Sequence, residues 1–164
     1  MTRLIRNAAP ILLATAVLVG LFIATPSPTA EANPSPFDTL LGSWRGSGTV
    51  QLNSGKERLS CNAYYTGGGT QLGMAIRCKS DTSTVEIRSK LSLSGSRITG
   101  NWEERTYNAE GSATGTATPS RISITVSGSI TGSMVVNFSR TRQSVSISTQ
   151  GSPLQRVSIN LTRS

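Results

Sequence analysis

Histidine is missing from all 164 residues. Its absence removes the usual general base for a serine or cysteine nucleophile, and with it the commonest metal ligand. Cysteine is limited to Cys61 and Cys78. Two thiols alone do not complete a zinc site, and their spacing is not the C-x-x-C of a thiol oxidoreductase. No Ser-x-x-Lys pair stands in for the missing imidazole. Acids are scarce too, with 8 Asp and Glu against 16 Lys and Arg and a net charge of +8. The residues that remain point to no metal, no cofactor and no catalysis.

What the chain does have is a leader. Arg3 and Arg6 form a short basic region, and the stretch from Pro10 to Ala24 is nearly all apolar. Ala30-Glu31-Ala32 follows with the small-x-small pattern that signal peptidase cuts. The apolar run is short for a bilayer span of about 20 residues. It contains Pro10 and gives way to Thr25-Pro26-Ser27-Pro28. Residues 1–32 are therefore expected to be a signal peptide cleaved after Ala32, leaving a periplasmic or secreted protein with no membrane span. Cleavage removes two arginines and one glutamate, so the mature excess of base is +7. Arg45, Arg58, Arg77, Arg88, Lys90, Arg97 and Arg105 are spread along the chain, not gathered in one run. This favours a nonspecific basic surface over a polyanion site, with an anionic envelope component as a partner class. Export argues against nucleic acid. In an oxidising compartment, Cys61 and Cys78 are expected to form a disulfide.

Beyond the leader there is length for one domain. Residues 33–41 read as a lead-in, with a helical turn from Phe37 to Leu41. From Gly42 to Ser164, short runs of alternating apolar and polar residues are split by turn residues, the mark of antiparallel strands. Leu59, Cys61, Ala63 and Tyr65 share one face, and Leu72, Met74, Ile76 and Cys78 share another. If Gly68 pairs with Gln71, Cys61 meets Cys78 and the two apolar faces match. A one-residue slip would break both. In the hairpin before it, Ser54-Gly55 reads as the turn, which sets Trp44 opposite Tyr65. The segment from Thr106 to Ala117 reads as a strand with poor alternation. About ten strands joined by local turns favour an all-β, up-and-down antiparallel barrel of 8–10 strands over a sandwich, because closure removes exposed edges.

Gly42-Ser43-Trp44 opens the first strand and resembles the G-x-W of the calycin superfamily, the lipocalin- and avidin-type barrels. That resemblance implies that Trp44 plugs the closed end and that a basic residue near the C-terminus, Arg163 or Arg156, packs across it. Four stretches are similar to uncharacterised exported proteins of rhizobial and related alphaproteobacterial type. These are the string from Leu41 to Gly48, the two cysteine segments and the run from Arg142 to Ile147. This second resemblance implies an envelope location and no particular activity.

The acids of the mature part do not pair. Glu103 and Glu104 are adjacent and point to opposite faces of a strand. Glu104 shares the parity of Trp102 but reads as a solvated strand end beside Arg105. Trp102, Tyr65, Met74 and Phe138 all have inward parity and are the candidate ligand-binding residues, with Trp102 opposite the small Ser89. The same rings would also serve as plain core. The expected function is an exported barrel that binds a small apolar or amphipathic ligand. Two alternatives stand beside it. One is an envelope interaction protein with a basic surface. The other is a single-disulfide proteinase inhibitor that presents residues 33–37 to an enzyme cleft.

Overall fold

The computed structural model of the protein describes residues 34–164. The leader, its cleavage site after Ala32 and the start of the lead-in lie outside the described residues. The first element is a short helix, α1 (Pro36–Leu40). Its N-cap is Ser35, whose hydroxyl accepts from Phe37 N at 3.2 Å, while Asp38 reaches back to Ser35 N at 3.1 Å. These bonds satisfy amides that a helix start leaves free.

Ten strands follow: β1 (Gly42–Leu52), β2 (Gly55–Gly68), β3 (Gln71–Lys79), β4 (Thr84–Ser94), β5 (Arg97–Glu104), β6 (Ala109–Thr118), β7 (Arg121–Gly128), β8 (Thr131–Phe138), β9 (Arg142–Gln150) and β10 (Leu154–Arg163). Each pairs antiparallel with its neighbour in sequence, and β1 pairs with β10 to close a barrel. All ten edges are thereby satisfied without a long crossover. The expected meander is present, and the sandwich is excluded.

The β2–β3 register is the one the alternation required. Gly68 pairs with Gln71, Tyr65 with Met74, Ala63 with Ile76 and Cys61 with Cys78. Cys61 and Cys78 are disulfide-bonded. The β1–β2 register differs from expectation. Its turn is Asn53-Ser54, with Leu52 paired to Gly55, so Trp44 lies opposite Ala63, and Tyr65 lies opposite Gly42. The displacement is two residues, which leaves every side chain on the same face. Alternation alone has no power to distinguish the two registers. Gly55 takes a φ of +142°, a left-handed backbone that suits glycine as the chain leaves the tight turn.

The strand that alternated poorly is β6. Its inward positions are Ala109, Gly111, Ala113, Gly115 and Ala117, all small. Alternation is intact there, but it runs between small and polar residues instead of large apolar and polar ones.

One end of the barrel is packed shut. Phe37 and Leu40 of α1 are fully buried beside Trp44 and Tyr65. The Trp44 indole N–H donates to Leu40 O at 2.7 Å. Arg163, from the end of β10, lies over the Trp44 ring with 4.3 Å from its guanidinium carbon to the ring centroid. The same guanidinium donates to Arg140 O at 2.7 Å, to Thr39 O at 2.6 Å and to Leu41 O. One side chain thus clamps helix, first strand and last strand over the tryptophan. Arg163, not Arg156, fills the role that the G-x-W resemblance implies.

Candidate ligand-binding cavity

Above this floor the barrel is hollow. An apolar cavity of about 450 Å³ runs through the middle of the interior. Its size falls in the range of small-molecule sites. Ser80 and Ser83, Tyr107 and Asn108, Ser129 and Ile130, and Gly151 to Pro153 ring the cavity mouth on four inter-strand loops. The Tyr107 hydroxyl hydrogen-bonds Ser83 Oγ at 2.8 Å, which ties two of those loops together.

The hollow follows from side-chain size. Met74, Ser89 and Trp102 stand on one level of three adjacent strands, followed on the same level by Gly111 of β6. Ala109, Gly111 and Ala113 extend too little to fill the space beside Ile124 of the neighbouring β7 and before Met134 and Ile147 of β8 and β9. Large residues concentrated at the floor and small ones along β6 leave the middle unfilled.

Trp102 is half-buried on the cavity wall, opposite Ser89 as the alternation required. Its indole N–H reaches across β6 to Ser127 O on β7, at 3.3 Å. Gly111, directly paired with Trp102, allows that reach. A Cβ at position 111 would stand 1.8 Å from Ser127 O, far inside contact distance.

Of the four candidate ligand residues, the structure brings Trp102 and Met74 together on the cavity wall. It places Tyr65 and Phe138 elsewhere, buried in the core and absent from that wall. The Tyr65 hydroxyl donates to Gln143 Oε1 at 2.8 Å, and burial pushes its phenol well above the ordinary tyrosine range. Tyr65 is therefore a neutral, bonded part of the floor. Inward parity is common to floor and wall, so parity alone did not separate the two pairs.

Glu104 corrects the expectation of a solvated strand end. It is 7% exposed and lines the cavity. Its carboxylate accepts from the backbone amides of Tyr107 at 2.7 Å, Glu86 at 2.9 Å and Thr106 at 3.1 Å. The signal for this was local: an inward acid just before a turn finds the amides of the turn two and three residues on. Opposite Trp102, Ser89 is the second polar group that the sequence reading undervalued. It is buried, and its Oγ has no hydrogen-bond partner. Cys78 also lies on the wall, so the disulfide stiffens one side of the cavity. Among the described residues no three Cys, Asp or Glu side chains gather as a metal-binding group.

No protein-family model and no curated protein matches the sequence. Solved structures do match. The chain is similar to Rv2717c from M. tuberculosis, with a TM-score of 0.64 and 14% identity over 80% of this chain and 99% of that one. It is also similar to the S-type phycobiliprotein lyase CPES from Guillardia theta, with a TM-score of 0.51 and 14% identity over 77% of this chain and 89% of that one. The fold is a calycin-like barrel. At such identities the likeness is one of fold, and it agrees with the tryptophan–arginine plug already described.

Proposed function

We propose that this calycin-like protein is exported and binds one small apolar or amphipathic molecule inside its barrel, without catalysing a reaction on it. The observation that carries this reading is the apolar cavity of about 450 Å³ with Trp102 and Met74 on its wall. An aromatic ring beside free space is what an apolar ligand needs. A barrel of similar fold belongs to a phycobiliprotein lyase, so the architecture itself does not argue against enzymes. Binding without chemistry rests on this chain's own wall. Glu104 is the one carboxylate among the described lining residues, and three backbone amides already occupy it.

The leader and the Cys61–Cys78 disulfide support an exported, oxidising location. Among the described residues, no helix is long and apolar enough to cross a membrane. The resemblance to alphaproteobacterial exported proteins points the same way. The inhibitor alternative needs residues 33–37 to protrude, yet Ser35 caps α1 and Phe37 is fully buried. The envelope-partner alternative gains nothing from a hollow interior.

Native mass spectrometry of protein purified from its own host tests the reading, with a retained small molecule as the expected result. Tryptophan fluorescence against lipids, quinones and aromatic metabolites is the second arm. Trp102→Ala should weaken binding more than it weakens folding. If nothing copurifies and fluorescence stays flat across the panel, a macromolecular partner replaces the small ligand.

A further inference from the structure

The chemistry of the cavity wall narrows the ligand class. This step rests on the reading of the cavity as a ligand site. The chain carries 16 Lys and Arg, yet none of them lines the cavity among the described residues. An anionic head group inside would meet Glu104 and no countercharge, and burying an unpaired charge is costly. A cationic head would find only a carboxylate that already serves three amides.

Among the described lining residues, one buried polar atom is left over. Ser89 lines the cavity, and its Oγ is itself covered and makes no hydrogen bond, so a turn about the Cα–Cβ bond is what presents it to a ligand. It stands between Met74 and Trp102, two residues further along β4 from the mouth than Ile87, the partner of Glu104. Its neighbour Trp102 has its own N–H engaged with Ser127 O and makes no claim on the hydroxyl. A buried hydroxyl without a partner is disfavoured in an apolar wall. A serine Oγ donates once and accepts twice, so it suits a ligand hydroxyl or carbonyl equally. Two other buried polar atoms lack partners, Gln143 Nε2 and Glu57 Oε2, but neither residue lines the cavity.

We propose that the cavity selects an uncharged, largely apolar molecule carrying one hydroxyl or carbonyl group, which meets Ser89 Oγ beside Trp102. The remainder of such a molecule lies against Ile124, Met134 and Ile147 on the far wall.

Isothermal titration calorimetry with four matched probes tests this: butylbenzene, 4-butylphenol, 4-butylbenzoate and 4-butylbenzylamine. The phenol is expected to bind several-fold tighter than butylbenzene, as one net hydrogen bond provides. It should also bind about tenfold or more tighter than either charged probe. Ser89→Ala should bring the phenol down to the level of butylbenzene while leaving butylbenzene unchanged. That substitution removes an unpartnered buried hydroxyl, so its thermal midpoint should hold or rise, which separates lost recognition from lost folding. A charged probe that binds as tightly as the phenol overturns the proposal and leaves the ligand reading standing. So does a phenol preference that survives Ser89→Ala. Failure of all four probes to bind overturns the ligand reading and the proposal together.

Discussion

Trp44 does more than fill space at the floor. It is 1% exposed, donates to Leu40 O and carries Arg163 on its face. Trp44→Ala should cost on the order of 3–5 kcal/mol, measured as a fall in the denaturant midpoint. Arg163→Ala should be destabilising on its own, through three lost carbonyl contacts and the lost ring contact. Because the two side chains touch, the double variant should lose less than the sum of the single losses, by about 0.5–3 kcal/mol in a double-mutant cycle. Glu104 offers a second test. Glu104→Gln keeps one acceptor oxygen but turns an amide NH₂ toward backbone donors, and should cost about 1–3 kcal/mol. The opening should show as faster hydrogen exchange at Thr106 and Tyr107.

At the scale of the element, β2 and β3 form a cross-linked hairpin with 17 residues of sequence separation between the cysteines. Replacing both with serine should remove roughly 3 kcal/mol by the chain-entropy estimate. Thiol titration of the unreduced, unfolded protein should find no free cysteine; a reactive pair would show that the bridge does not form. The β6 strand is thin for a reason that its own composition does not show. Gly111→Ala drives a Cβ toward Ser127 O and into the path of Trp102. Overpacking of this kind should cost about 1–3 kcal/mol and displace the indole. A shift in Trp102 emission alongside a lower thermal midpoint would report both effects.

The whole molecule has no histidine, so no side chain of that ordinary pKa titrates between pH 5 and 8. Two carboxylates instead link stability to acid. Hydrogen bonds from Arg77 and Arg88 hold Glu86 below its ordinary value of 4.5, with ion pairs to the same two arginines. The hydroxyls of Ser80 and Thr82 do the same for Glu57. A folded-state value below the unfolded one means stabilisation that is present above the ordinary carboxylate range and lost as pH falls through the lowered values. The thermal midpoint should therefore be nearly flat from pH 5.5 to 8 and drop below about pH 4. The Glu86 share should shrink with added salt, because Arg77 and Arg88 are well exposed. A midpoint that changes steeply around pH 6.5 would contradict this account.

Alternation along the chain was enough to determine which face of each strand turns inward. Local turns were enough to determine an antiparallel meander, and the Cys61–Cys78 register followed from requiring both at once. These are short-range properties, with a period of two that each strand carries in its own residues. The β1–β2 register was not legible, because a two-residue slip preserves that period. Nor did parity tell Tyr65 and Phe138 in the packed interior from Met74 and Trp102 on the cavity wall. That difference depends on how far each residue lies along the barrel axis and on what faces it from strands distant in sequence. Trp102 found its carbonyl across Gly111, and Ser89 no partner at all, only when distant strands closed around one interior. The cavity is the sum of those side-chain volumes subtracted from the space the closed sheet encloses, a quantity that no single strand contains.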